Sequence, residues 1–241
     1  MVFAAGLGTR LKPLTDTMPK ALVPVNGEPL IDITLRRLAQ AGVTEAVVNV
    51  HHFADRLKAH LASRHYGLAV RVSDESAALL DTGGGLRRAA PLFTPGDDPI
   101  LIHNVDILSN ADLPALHAAC AGSGDDVALL VSERQTQRYL LFDDDMLLRG
   151  WTNTATGEVR SPYPSLPVER MHRLAFSGIH CFAPRCFKEM EGFPEKFPIM
   201  DFYLSRCDRL RIRAAVQPGL RLLDVGKQDT LRQAEIFARS L

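Results

Sequence analysis

The sequence is poor in cysteine, has no surplus of charge of either sign, and contains no long apolar run. Its four cysteines, Cys120, Cys181, Cys186 and Cys207, stand apart with no C-x-x-C pair. That spacing fits neither a zinc site nor a disulfide framework, and it reads as free thiols in a reducing compartment. Lysine plus arginine number 28, and aspartate plus glutamate also number 28. A balanced chain has no net field to draw it to nucleic acid or to an anionic membrane, so any affinity for phosphate must come from local placement of charge. No apolar stretch is long enough to span a bilayer, and no basic segment leads into one. The expected location is the cytoplasm, with no membrane or nucleic-acid partner. No G-x-S-x-G occurs, and no Ser/His/Asp spacing suggests a hydrolase.

What the sequence does have is concentrated in its first thirty residues. A short apolar run, Met1 to Ala5, meets Gly6 and Gly8, then Thr9 and Arg10, and later Pro19 and Lys20. A buried strand that breaks into a glycine loop brings bare backbone N–H groups against an anion. Arg10 adds a fixed donor fork suited to phosphate, and Lys20 adds a mobile point charge. Together they describe a site for a polyphosphate.

The remainder of the 241 residues suits one large α/β domain or two small ones. Pro29 stands where a helix would begin, and Leu30, Ile31, Leu35 and Leu38 recur at helical spacing until Gly42. Ala46–Val50, Ala69–Val72, Ile100–His103 and Val127–Val131 read as strands. Helical segments around Leu57 and Leu61, after Gly83–Gly85, and after Asp112 alternate with them. That alternation predicts a mostly parallel, doubly wound sheet. Tyr139–Phe142 and Met146–Leu148 flank the turn Asp143–Asp145 as a hairpin. Trp151–Arg173 is polar and proline-punctuated, with the look of a lid or mobile loop. Leu174–Phe182 and Leu222–Val225 read as further strands, with helical segments at Pro184–Glu191 and Ile199–Cys207. A terminal helix carries Leu231, Ala234, Ala238 and Leu241 on one face.

Two aspartates follow strand ends, Asp106 and Asp224. Each could hold Mg²⁺, which takes one or two carboxylates together with substrate phosphates and water; each could equally be a turn or cap residue. His51 and His52 read as structural or surface residues.

The run G-x-G-T-R-L-x-P-L-T from Gly6 to Thr15, followed by P-K-x-L from Pro19 to Leu22, resembles the signature segment of the sugar-1-phosphate nucleotidyltransferases. His103–Asp106 resembles that family's N-G-D segment, and Leu222–Lys227 its W-x-D-x-G-T segment. Asp81–Leu86 resembles its G-T-x-G base-recognition turn. Phe176–His180 resembles its sugar-side strand, and Ile199–Asp201 a later helical segment. The resemblance implies a Rossmann-like, three-layer α/β/α fold with a nucleotide-binding half (1–132) and a sugar-phosphate-binding half (133–241). It implies catalytic roles for Arg10 and Lys20, and Mg²⁺ on Asp106 and Asp224. Nucleotide contacts would come from Ala4, Ala5, Gly6, Gly8, Thr9, Arg10, Thr82, Gly83 and Asn104. Sugar-phosphate contacts would come from Gly178, Asp201 and the pair Glu169–Arg170. The partners implied are a nucleoside triphosphate and a sugar 1-phosphate, with the protein a monomer or homodimer.

Three positions depart from the family pattern. Val105 stands for a glycine and would narrow the space beside the nucleotide; Leu222 and Lys227 stand for tryptophan and threonine. All three leave the carboxylates in place, so they bear on substrate contacts more than on metal. Within the family, the T-G-G-G turn, the F-S-G strand and the short length resemble the branch that joins UTP to an amino-sugar 1-phosphate such as N-acetylmuramate 1-phosphate. Mannose- or heptose-1-phosphate guanylyl transfer, phosphocholine cytidylyl transfer and a catalytically silent nucleotide-binding regulator are the alternatives. Retention of Arg10, Lys20, Asp106 and Asp224 argues against silence. Arg170, Arg173 and Lys227 are the cations available for a lactyl carboxylate.

Overall fold

The computed structural model describes residues 1–239. The chain opens with β1 (Val2–Phe3), the glycine loop, and a small hairpin of β2 (Pro24–Val25) and β3 (Glu28–Pro29). Helix α1 (Leu30–Gln40), β4 (Glu45–Val50), α2 (Ala54–Ala62), β5 (Ala69–Asp74), α3 (Asp81–Ala89) and β6 (Ile100–Asn104) follow. After β7 (Ile107–Ser109) and α4 (Leu113–Ser123) come β8 (Val127–Ser132), β9 (Arg138–Phe142), β10 (Leu148–Asn153), β11 (Val159–Arg160) and β12 (His172–Phe182). The chain closes with α5 (Ile199–Arg206), β13 (Ile212–Val216), β14 (Leu222–Asp224) and α6 (Gln228–Ala238).

Local signals place the helices. Helix α1 starts after Pro29 and stops at Gly42, whose φ of +86° suits a residue without Cβ. Helix α4 starts where the Asp112 carboxylate accepts from the Ala115 N–H at 2.9 Å, and stops at Gly124, φ +69°.

The sheet runs β11-β10-β9-β12-β6-β1-β4-β5, with β8 on β12 and β13 on β8. Strands β6, β1, β4 and β5 are parallel; the apolar side chains of β1 and β4 are buried on both faces, while the edge strand β5 is more open. Strand β12 lies antiparallel to β6, so the second half of the chain continues the same sheet. Helices α1, α2, α4 and α6 cover one face around Leu35, Leu57, Leu116 and Ala234. Helices α3 and α5 cover the other around Leu86 and Phe202. The architecture is the expected three-layer α/β/α arrangement around a mixed sheet with a parallel centre. Among the described residues, no helix is long and apolar enough to cross a membrane.

The structure differs from the sequence reading in several places. Trp151–Arg173 is not one irregular lid: it holds the end of β10, the short β11, a 3₁₀ turn at Val168–Arg170 and the start of β12. Ser161 Oγ donates to the Arg149 carbonyl at 2.6 Å and Tyr163 Oη to that of Cys207 at 3.0 Å, which ties the segment down. Strands β7 and β13 were not evident in the sequence. Of the terminal helix, Ala234 is buried and Leu231 and Ala238 pack against the core; Leu241 lies outside the described residues.

Strand β13 depends on a remote carboxylate. Asp125, 2% exposed, accepts from Arg211 Nε at 3.1 Å and Arg213 Nε at 2.6 Å. Burial pushes the Asp125 carboxyl up, but hydrogen bonds from Arg213, Ser123 and Arg211 outweigh it and hold it below the ordinary carboxylate range. A carboxyl lowered on folding stabilises the fold above its unfolded-state pKa of about 3.9 and loses that contribution as pH falls through the folded value. Asp125→Asn is therefore expected to lower stability by about 2 kcal/mol at pH 7. Urea melts of both proteins from pH 7 to pH 3 should show the difference shrinking toward the acid end; a difference independent of pH would remove charge from the explanation.

Candidate active site

In a sheet with a parallel centre, ligands gather at the strands' carboxyl ends. Strand β6 ends there at Asn104, and the chain turns through Val105 and Asp106 into β7. Strand β7 pairs antiparallel with β14, setting Asp224 opposite Ile107, and the Val225 N–H donates to the Asp106 carbonyl at 2.8 Å. Two carboxylates from distant parts of the chain are thereby fixed side by side through backbone pairing.

The glycine loop answers each with a cation. Lys20 Nζ forms an ion pair with Asp106 Oδ2, with side chains 12% and 17% exposed. Arg10 Nη2 lies 3.8 Å from Asp224 Oδ2 at the open mouth of the site. The Asp224 carboxyl is raised above its ordinary range, first by desolvation and then by repulsion from Asp106; Lys20, Arg10 and Arg134 pull the other way. Asp16, the nearby acidic alternative for Lys20, pairs instead with Lys12 at 3.0 Å.

Several contacts shape that loop. Gly8 has φ +64°, and a Cβ there would come within 2.7 Å of Thr15 Cγ2 and 3.1 Å of Lys20 Cβ. Thr15 Oγ1 donates to the Gly8 carbonyl at 2.8 Å, and fully buried Leu11 anchors the turn. Gly6 and Thr9 are exposed at its tip. The C-terminal segment closes over the loop's far side. A Cβ on Gly226 would lie 2.5 Å from Asp224 Oδ1, 2.6 Å from Arg10 Nη2 and 3.2 Å from its Cζ, so the carboxylate and the guanidinium together occupy the space a side chain would take. Gln228 Nε2 donates to the Lys12 carbonyl.

Not every expected contact is available. The N–H groups of Ala4 and Ala5 donate to Asn49 Oδ1 at 2.7 and 3.3 Å, and both residues are buried. They support the loop from beneath, with both of these donors taken up by Asn49. The turn at Thr82–Gly84 is likewise committed. The Gly83 and Gly84 N–H groups donate to the Phe197 carbonyl at 2.8 and 3.2 Å, and the Thr82 N–H goes to Asp81 Oδ1. Thr82 Oγ1 accepts from the Ile199 N–H at 2.9 Å. A Cβ on Gly83 would strike the Phe197 ring. These glycines permit close packing of α3 on the 195–199 segment, and their backbone donors are not free to read a base.

On the sugar side, Gly178 has φ +76° and a Cβ there would fall 2.8 Å from Asn104 Nδ2, which brings β12 against the site. Asp201 is held away from the carboxylates in an ion pair with Arg160 at 2.7 Å. Glu169 and Arg170 are exposed on the 3₁₀ turn, and among the described residues neither makes an ion pair. The structure thus gathers Arg10, Lys20, Asn104, Asp106, Gly178 and Asp224, and does not join Asp201, Glu169 or Arg170 to them.

Sequence reasoning missed Asn49, Glu75 and Arg134. Asn49 Nδ2 donates to Glu75 Oε1 at 2.8 Å, linking the loop to α3. Burial raises the Glu75 carboxyl, against hydrogen bonds from Asn49 and Leu80. A lone asparagine inside the run Val47–Val50 was the available signal.

Asp106 and Asp224 are the residues that could hold a divalent cation. They are adjacent, mutually repelling, and open on one side. Among the described residues no group of three or more His, Cys, Asp or Glu side chains is placed to hold a metal. A two-carboxylate donor set suits a hard cation that completes its shell with water and substrate oxygens.

Fold and site together have the form of a nucleotidyltransferase. UDP-glucose pyrophosphorylase complexed with UDP-glucose superposes with a TM-score of 0.75 at 16% identity, covering 99% of this chain and 97% of that one. At that identity the likeness shows the fold. The MobA-like NTP transferase domain matches residues 1–193, and the chain belongs to that family. It is 43% identical over 241 residues to N-acetylmuramate alpha-1-phosphate uridylyltransferase of Neisseria meningitidis serogroup B, covering 99% of this chain and 97% of that one. The Caulobacter vibrioides protein of the same name is 47% identical over 151 residues, 60% of this chain and 61% of its own length, so that match spans under two thirds of the relative.

The contact between Gly226 and Arg10 can be checked. Gly226→Ala should displace the guanidinium and lower kcat/KM for the triphosphate about ten- to a hundredfold, as Arg10→Ala should. In an Arg10→Ala background the Gly226→Ala change should cost less than it does alone, because the part of its effect that passes through Arg10 is already lost and only the crowding of Asp224 remains. Fully additive losses would show that Gly226 acts through Asp224 alone and not through Arg10.

Proposed function

We propose that this protein transfers a uridylyl group from UTP to an amino-sugar 1-phosphate, N-acetylmuramate α-1-phosphate being the first candidate. The observation that carries this reading is the 43% identity extending over 99% of the chain to the Neisseria enzyme. The retained quartet of Arg10, Lys20, Asp106 and Asp224 supports it, because those four side chains supply the charge that such a transfer needs.

In the reaction an oxygen of the sugar 1-phosphate attacks the α-phosphorus of UTP. The bond from that phosphorus to the bridging oxygen breaks, and pyrophosphate leaves. The attacking oxygen is already anionic, so no general base is required, and catalysis is alignment plus neutralisation of charge. Arg10, at the mouth, holds the departing pyrophosphate through its donor fork. Lys20, in the more buried position, offsets charge gathering on the α-phosphoryl oxygens. Gly6, Gly8 and Thr9 bring the loop backbone against the triphosphate, with Asn104 and Gly178 on the opposite wall. Asp106 and Asp224 would hold Mg²⁺, which when bound neutralises phosphate charge. In this reading residues 1–132 provide most of the nucleotide side and residues 133–241 most of the sugar side. A nucleotide-dependent activity and free thiols suit the cytoplasm.

A pyrophosphate-release assay of four nucleoside triphosphates against a panel of sugar 1-phosphates tests the assignment, with UTP and N-acetylmuramate 1-phosphate expected to give the highest kcat/KM. A tenfold or greater preference for GTP would replace it with a mannose- or heptose-phosphate guanylyl reading. Asp106→Asn and Asp224→Asn should each depress turnover on the order of a hundred- to a thousandfold while the circular dichroism melt stays cooperative. Normal turnover in either variant removes that carboxylate from the mechanism.

A further inference from the structure

Two of the cations on this side of the sheet, Lys20 and Arg10, come from the glycine loop and are paired with Asp106 and Asp224. A third is Arg134, in the connection between β8 and β9. It is exposed, and among the described residues it makes no ion pair. Its Nη2 donates to the Phe176 carbonyl at 3.2 Å, which leaves guanidinium N–H groups for a ligand. The register between β12 and β8 breaks between Phe176 and His180, and Gly178 sits in that break. Gly178 in turn backs onto Asn104, two residues before Asp106. Arg134 is therefore tied to the site through β12, on the wall formed by Gly178 and Asn104.

The sheet order fixes the side from which it acts. Strand β6, which delivers Asp106, lies between β1, which leads into the loop of Arg10, and β12, which carries Arg134's partner. In an in-line displacement at phosphorus the attacking and leaving oxygens lie on opposite sides. With Arg10 on the leaving pyrophosphate, the cation for the incoming phosphate belongs on the β12 side.

We propose that Arg134 binds the phosphate of the acceptor sugar 1-phosphate and orients its attacking oxygen. This rests on the reading of the chain as a sugar-1-phosphate nucleotidyltransferase, whichever sugar it takes. It moves to Arg134 the role that the sequence alone suggested for Glu169–Arg170.

The test is steady-state kinetics on Arg134→Ala, Arg134→Gln and Arg134→Lys, with melting temperatures to confirm folding. For Arg134→Ala and Arg134→Gln the KM for the sugar 1-phosphate should rise about ten- to a hundredfold, and the KM for UTP should stay within about twofold. Arg134→Lys should recover part of the loss, since it keeps the charge without the fork. N-acetylmuramic acid, which keeps the lactyl carboxylate and lacks the phosphate, should inhibit wild type and Arg134→Ala with the same Ki. A Ki that rises together with the acceptor KM would place Arg134 on the lactyl carboxylate and overturn the proposal. A raised KM for UTP with an unchanged acceptor KM, or no kinetic change at all, would also overturn it. If wild type fails with UTP and N-acetylmuramate 1-phosphate, the substrate assignment is at fault. The same comparison then runs on the pair that the pyrophosphate-release panel selects, with the matching unphosphorylated sugar as inhibitor.

Discussion

The site depends on one short piece of antiparallel pairing, β7 against β14, which forces two like charges together. Without it Asp106 and Asp224 would belong to separate loops, and their repulsion would separate them. The pairing uses backbone hydrogen bonds, including Val225 N–H to Asp106 O at 2.8 Å, so the carboxylate oxygens are left out of it. The fold thus accepts an electrostatic penalty at a place where a ligand can remove it. Strain of this kind, set by surrounding structure and relieved on binding, is typical of functional sites.

Of the cations that offset this repulsion, Lys20 is the more enclosed and Arg10 the more exposed. Lys20 follows the turn at Pro19, close against Gly8, and Arg10 lies in space kept open at Gly226. The loop is tied from below by Asn49, from the side by His52 to the Thr15 carbonyl at 3.3 Å, and from the C-terminal segment by Gln228. Such bracing means that little reorganisation is needed once phosphate charge arrives, which is where electrostatic catalysis draws its advantage. It also explains why the last elements of the chain fold back to the first: Asn26 Nδ2 donates to the Glu235 carbonyl at 2.7 Å, fastening α6 beside the β2–β3 hairpin.

The helices and central strands were legible because their signals are local: Asp112 as a cap, Gly42 as a stop, and unbroken apolar runs for parallel strands. The carboxylates were legible because strand ends are. Strand β13 was not, since Arg213 interrupts its apolar run, Arg211 flanks it, and the Asp125 that pairs with both lies far back in the chain. The packing role of Gly83 was hidden for a different reason. A glycine that admits a ligand and one that admits a neighbouring ring look identical in sequence, and Phe197 settles the matter only in three dimensions. Arg134 escaped notice because no motif surrounds it; its place comes from an irregularity in β12.

The departures from the family pattern are absorbed by the fold in ways that leave the charged quartet untouched. Val105 is 4% exposed and packs in the core cluster beneath the sheet, so its side chain contributes to packing there. The narrowing of the nucleotide space expected of it is not what its burial indicates. Lys227 sits at the start of α6, where its carbonyl accepts from the Thr230 N–H at 3.1 Å and from Thr230 Oγ1 at 2.7 Å. Those bonds use its backbone, so many side chains could stand at that position. Leu222 lies in β14 opposite Ser109, one position in a ladder that needs only an extended residue. A chain losing catalysis would have little reason to keep a half-buried lysine–aspartate pair, although removing one member leaves the other charge without its partner. The pair at Lys20 and Asp106, set beside Arg10 and Asp224, is what a working phosphoryl site requires and a silent one does not.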